Sequence, residues 1–195
     1  MSHPPSPSWR SRLVILLIAL TAFVPFALAW YYAQHPELIE KTSNYGRLIL
    51  PVRRFDYGPI LTDPALAGEI KGRWVLLQVA SGPCADRCAD TLHKTHQGWL
   101  MLNKEMPRIK RLLLIAPELR SQDAAAIRND DALLTASLTP EASSALGAAI
   151  AKPPGDGVVI LIDPMGHLVL WYDDGFDPYA MVKDLKHLLK ASQIG

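Results

Sequence analysis

Two side chains in this sequence have the type and spacing to do chemistry together: Cys84 and Cys88, the only cysteines in 195 residues. A pair four positions apart can close a disulfide ring, hold a metal through its thiolates, or consist of two buried structural thiols. On a helix, one turn separates the two sulfurs and they face the same side. That geometry permits joint metal binding, and a disulfide once the first turn loosens. Cys84 follows Ser81-Gly82-Pro83, a turn whose proline suits the first turn of a helix. The N–H groups and dipole at a helix start favour a thiolate there.

Other candidate groups join the pair poorly. His96 stands two helical turns beyond Cys88, roughly 12 Å along the axis, too far to share one ion. His93 points to a different face of the same helix. His167 follows a predicted hairpin turn and His187 lies on the last predicted helix; both read as solvated. Asp173-Asp174 with Asp177 lacks the spacing and terminal Glu of a calcium loop and reads as a polar turn. Arg47, Arg53 and Arg54 form a small basic cluster, read as a solvated turn. Ser81-Gly82 is too short for a phosphate loop, and no Ser–His–acid set has motif support. Ala80-Ser81-Gly82-Pro83-Cys84 differs from the Pro-x-x-x-Thr-x-x-Cys approach of a peroxiredoxin-like peroxidase.

The elements that must position the cysteines follow an α/β pattern from about Leu61. Trp74–Ala80 is a short apolar run, as expected of a strand buried on both faces. A helix is predicted from about Cys84 towards Lys104, with Leu92, Trp99, Leu100 and Leu102 inward. Arg111–Ala116 reads as a second buried strand and Val158–Asp163 as a third. Pro164-Met165-Gly166 turns the chain into His167–Tyr172, a hairpin partner. Asp123–Asn129 and Pro140–Lys152 read as helical. Pro178 opens a final helix whose Met181, Val182, Leu185, Leu188 and Leu189 recur at helical spacing. Strand–helix–strand–helix–hairpin–helix predicts a mixed sheet with helices on its faces. The sixteen prolines act as punctuation between these short elements.

Composition narrows the compartment and the partners. The chain is 49% hydrophobic and 20% charged, enough apolar mass for a sizeable core and not a disordered sequence. A formal charge of +1 without a basic excess excludes nucleic acid as the expected partner. Leu13–Trp30 is apolar and uncharged; its 18 residues span about 27 Å as a helix, one hydrocarbon core. Trp30, Tyr31 and Tyr32 form an aromatic belt, and Arg10 and Arg12 precede the run with no acid in the first 36 residues. The expected organisation is a cytoplasmic tail at 1–12, a transmembrane anchor at 13–32, a linker and approach segment at 33–60 in which Leu48-Ile49-Leu50 reads as a short strand or a docked segment, and an exported domain at 61–195. Ala27-Leu28-Ala29 also offers a cleavage site of signal-peptide type; both readings export the remainder. Export places the cysteines where disulfides form and exchange.

Lys71-Gly72-Arg73-Trp74-Val75-Leu76-Leu77, followed by Cys84-Ala85-Asp86-Arg87-Cys88, resembles the Sco/SenC family. Asp86 matches the acidic residue of that family's Cys-Pro-Asp-x-Cys motif, while Ala85 replaces its usual proline. Thr91-Leu92, Leu161–Gly166 and Asn44-Tyr45-Gly46-Arg47-Leu48-Ile49 add to the likeness, the last to short Sco-like oxidase assembly factors. The resemblance implies a thioredoxin-like fold anchored in the bacterial inner membrane, with its C-terminal domain in the periplasm. It implies work in cytochrome c oxidase assembly, with a respiratory oxidase subunit or a copper-site assembly protein as partner. Cys84 and Cys88 would be the reactive pair, Cys84 attacking and Cys88 resolving, or would hold copper as Cu(I) between them. Asp86 and Arg87 would tune the local field. The family's third copper ligand is a histidine before a late strand; here Lys152–Val158 contains none, and Asp156 or Gly157 falls where thioredoxin-like folds place a cis-proline beside the active pair. A thioredoxin-like interaction module with a structural disulfide is the alternative.

Overall fold

The computed structural model describes residues 9–35, 44–61, 63–82, 84, 86–117, 127 and 130–192. The chain forms two compact units divided between Ser43 and Asn44. The first holds one described helix, α1 (Trp9–Gln34). Its apolar residues are spread around the whole circumference, and its Arg12–Gln34 stretch is long and apolar enough to cross a membrane. Thr21 satisfies its hydroxyl by donating to the Ile18 carbonyl at 2.8 Å, so the polar group adds no unpaired donor to an apolar helix. The helix runs past the predicted 13–32 span at both ends, and Arg10 and Arg12 belong to its opening turns.

The second unit is built on a six-stranded sheet, ordered β1-β6-β5-β2-β3-β4. The strands are β1 (Arg47–Arg54), β2 (Trp74–Ala80), β3 (Ile109–Ile115), β4 (Leu133–Ser137), β5 (Val159–Ile162) and β6 (His167–Tyr172). β2, β3 and β4 run parallel, whereas β5, β6 and β1 join them antiparallel. The helices are α2 (Pro64–Ile70), α3 (Asp86–Leu100), α4 (Pro140–Ile150) and α5 (Pro178–Ala191), with a 3₁₀ segment at Asn103–Arg108. The expected mixed sheet with flanking helices is therefore present.

Alternation along the strands sorts the core into two sides. Val75, Leu77 and Val79 of β2 pack with Leu112 and Leu114 of β3 against Ala142, Leu146 and Ile150 of α4. Trp74 and Leu76 pack with Ile109 against Met181, Val182, Leu185 and Leu189 of α5. Ala80, Leu113 and Ile115 continue that second side towards Cys88 and Leu92 of α3. Gly98 allows α3 and α5 to approach closely, since a Cβ there would lie 2.5 Å from Met181 Cε. Asp177 caps α5 by accepting from the Tyr179 N–H at 2.9 Å, with Pro178 in the first turn, as the sequence pattern predicts.

Several boundaries differ from expectation. The stretch read as linker, 33–60, contains β1, so the sheet-bearing unit starts at Asn44 rather than near Leu61. Asp184 of α5 fixes that start: it is buried and accepts from the Tyr45 and Gly46 N–H groups and from the Tyr172 hydroxyl, at 2.8–3.1 Å. Burial and the Asp184 charge push the Tyr172 hydroxyl well above the usual tyrosine range. α3 stops at Leu100, short of Lys104, because Asn103 adopts a left-handed conformation (φ 56°) and the chain tightens into 3₁₀ turns. Leu100, expected inward, is exposed, while Leu102 is buried. β4 has no counterpart in the prediction. Apart from Ile127, the predicted helix at Asp123–Asn129 lies outside the described residues.

Candidate functional site

β2 is buried along its whole length and delivers the chain to the surface at Ser81-Gly82. Cys84 comes two residues before α3 and Cys88 is the third residue of that helix. The two are joined by a disulfide, with their Cα atoms 4.9 Å apart. Because Cys84 lies ahead of the helix, the ring closes without breaking a helical turn. Cys84 is half-buried and Cys88 is buried, 3% exposed. Of the two residues, Cys84 is the more accessible to solvent. Asp86 and Arg87 are exposed on the outer face, where Arg87 Nε lies 3.4 Å from Asp174 Oδ2.

Two loops frame the ring. Asp156 accepts from the Ser81 backbone N–H at 3.0 Å, pinning the loop before β5 to the end of β2. Gly157 follows with φ +94°, and a Cβ there would meet Asp174 Oδ1 at 2.8 Å. Only glycine satisfies both the conformation and the close approach. Asp156 and Gly157 thus stand beside the cysteine turn, as the sequence reading expected. Lys152 of the same loop pairs with Asp173 at 2.5 Å.

Within the Asn44–Gly195 unit, no described histidine joins the pair. His93 is exposed on α3, and His187 is exposed on α5. His167 bonds Asp163 at 3.0 Å at the β5–β6 turn. Since β5 is antiparallel to β2 with Ile162 beside Val75, that turn lies at the opposite end of β2 from the cysteines. Among the described residues no three His, Cys, Asp or Glu side chains cluster as a metal site.

A buried polar network beneath α3 was not anticipated. Arg111 of β3 is 1% exposed and meets Asp130 Oδ2 at 2.5 Å. It also reaches the Leu92 carbonyl, Thr95 Oγ1 and His96 Nδ1, at 2.9–3.3 Å. Burial lowers the Arg111 pKa, and Asp130 partly offsets this. Burial alone would raise the Asp130 carboxyl; the Arg111 hydrogen bond and charge outweigh it, and His96 adds to them, so the net shift is downward. On the neighbouring strand Gln78 is 3% exposed and donates through Nε2 to Thr95 Oγ1 at 2.6 Å and to the Thr91 carbonyl at 3.3 Å. A single amide inside Trp74–Ala80 and a cation opening Arg111–Ala116 were the only sequence signals for it.

An open mixed sheet whose first parallel strand hands a half-buried cysteine pair to a helix N-terminus defines a thioredoxin-fold disulfide protein. Residues 74–192 match the family of transmembrane-like, thioredoxin-like C-terminal domains, and the chain belongs to that family. A search of curated protein sequences found no match. Among solved structures, the apo Sco1 protein from Thermus thermophilus is similar with a TM-score of 0.54 and 21% identity, covering 76% of this chain and 99% of that one. Copper-bound yeast Sco1 gives 0.50 and 18%, covering 63% and 82%. BsSco, described through its disulfide switch and as a member of the Sco family of cytochrome c oxidase assembly proteins, gives 0.46 and 13%, covering 60% and 81%. At these identities the likeness is one of fold.

Proposed function

We propose that this chain is a membrane-anchored assembly factor for cytochrome c oxidase that works by reversible thiol–disulfide exchange at Cys84 and Cys88. The observation that carries the reading is the disulfide between a half-buried Cys84 and a buried Cys88 at the exit of β2. Cys84 Sγ accepts attack by a client thiolate, Cys88 leaves, and the client's second thiolate resolves the mixed disulfide. The client becomes a disulfide and the pair a dithiol; the reverse sequence reduces a client. α1 serves as the anchor in the bacterial inner membrane, with Arg10 and Arg12 on the cytoplasmic side and the Asn44–Gly195 unit in the periplasm. The Asn44–Ile49 and Cys84–Cys88 segments support the oxidase pathway by their likeness to Sco-type assembly factors. The partner is then an oxidase subunit or a copper-site assembly protein.

Cu(I) as cargo on the reduced pair is the second reading. Two soft sulfurs suit Cu(I), and two-coordinate holding is what the described residues fit, since no third donor clusters with them. The test is equilibration of the full-length protein with glutathione buffers, beside anaerobic Cu(I) titration and trapping of clients on a Cys88→Ser variant. Reduction within the range of known exchange proteins and trapped client mixed disulfides support exchange. Stoichiometric Cu(I) uptake without trapped clients favours cargo. A pair that resists reduction and takes no copper leaves the structural-disulfide alternative and overturns both.

A further inference from the structure

The side chain of Gln78 is held in one orientation. Its Nε2 must face α3, because one of its two partners there, the Thr91 carbonyl, can only accept a hydrogen bond. Its Oε1 is therefore turned away from that carbonyl, and it is buried with no hydrogen-bond partner. Gln78 and Cys88 line the same small void, together with Thr91, Leu92, Leu113 and Val158, and the void has no room for a water molecule. Leu92, Leu113 and Val158 bring apolar side chains to it. In the oxidised protein Cys88 Sγ carries no proton to offer, and the Gln78 acceptor goes unmatched, which costs free energy.

We propose that Gln78 is a positioning residue for the redox pair: once the disulfide is reduced, the Cys88 thiol donates its proton to Gln78 Oε1. The inference rests on the exchange reading of the pair. The step balances with a client dithiol as reductant. Two electrons and two protons pass from the client to the Cys84–Cys88 bond; the client leaves as a disulfide, and one of the protons resides on Cys88 Sγ. The hydrogen bond forms only in the dithiol. Gln78 therefore favours the reduced state and makes the pair a stronger oxidant than an apolar residue at this position would. It also holds Cys88 as the thiol, leaving Cys84 as the sulfur that ionises first.

Two measurements on the full-length protein in detergent test this. In glutathione equilibria, Gln78→Met is expected to disfavour the dithiol by about tenfold, near 30 mV towards more negative potential. Equal potentials for Gln78→Met and wild type overturn the proposal. The second has an arm that keeps Gln78 in place, and that arm does not depend on the Gln78→Met substitution folding. In a Cys84→Ser variant, the infrared S–H stretch of Cys88 is expected at lower frequency than that of a free thiol, and to return upward in Cys84→Ser/Gln78→Met. An unshifted stretch overturns the proposal. A wild-type pair that cannot be reduced sinks the exchange reading instead, while the S–H stretch still decides the hydrogen bond.

Discussion

The two sides of the central sheet are both buried and chemically different. On the α4 side, β2 and β3 present Val75, Leu77, Val79, Leu112 and Leu114 to Ala142, Leu146 and Ile150, an apolar contact throughout. On the α3 side the same strands present Gln78 and Arg111 to Thr91, Thr95 and the Leu92 carbonyl, with Cys88 at the end of the stripe. Burial of apolar surface stabilises the first side without directional demands. The second side must match donors with acceptors in a dry interior, where an error costs much more. A fold that needed only stability would have two sides of the first kind. The polar side fixes where α3 sits on the sheet, and α3 carries Cys88. The contrast therefore separates a side that holds the domain together from a side that positions the proposed redox pair.

Asp130→Ala should break this contrast most severely. It leaves Arg111 charged and buried without its partner, at an expected cost of about 3–5 kcal/mol in urea unfolding. Replacing both, as Arg111→Met/Asp130→Leu, is expected to recover at least half of that loss, because no uncompensated charge remains. The same pair predicts an acid response. The folded carboxyl of Asp130 titrates below its unfolded value of about 3.9, so its stabilisation is present above that pH and is lost as the pH falls through the folded value. Asp130→Ala should therefore show a shallower loss of stability below about pH 4. Leu146→Ala, at the centre of the apolar side, is expected to cost about 3 kcal/mol through a cavity. Unlike the network variants, it should leave the reduction potential of Cys84–Cys88 unchanged.

Asp184→Ala comes next, at about 2 kcal/mol, because it removes a charged acceptor from two backbone N–H groups and the Tyr172 hydroxyl. Hydrogen exchange should rise first at Tyr45 and Gly46, where β1 is tied to α5. That tie also explains what the sequence hid. β2, β3, β5 and α5 were legible because each buries nearly every residue or a full helical stripe, and prolines and glycines mark their ends. β1 was legible only in part: Leu48-Ile49-Leu50 offers a short strand, but only Ile49 of this edge strand is buried, and Pro51 and three arginines give the rest the look of a linker. β4 is the opposite edge, with two of five residues buried, too few to set a period. The cysteine pair could be placed at a helix start from the buried run before it and the Ser81-Gly82-Pro83 turn. Its surroundings could not, since Arg111 and Asp130 are 19 positions apart and nothing in either local segment names the other. Gln78 was visible as one amide in an apolar run, but what lies above it depends on the register of α3.

Arg87→Ala is the smallest expected effect and the sharpest check on which side governs the cysteines. Arg87 and Asp174 stand 3.4 Å apart, with side chains 75% and 42% exposed. Solvent and salt screen such a pair, so stability should change by no more than about 0.5 kcal/mol, and less still at high salt. The loops around the disulfide keep their anchors without it, because Asp156 holds the Ser81 N–H and Gly157 packs on Asp174. Alkylation of Cys84 in the reduced protein should slow by less than threefold, through the loss of one screened positive charge near a thiolate. A much larger drop would mean that the exposed charges between the cysteines, rather than the buried face under α3, set the reactivity of the pair.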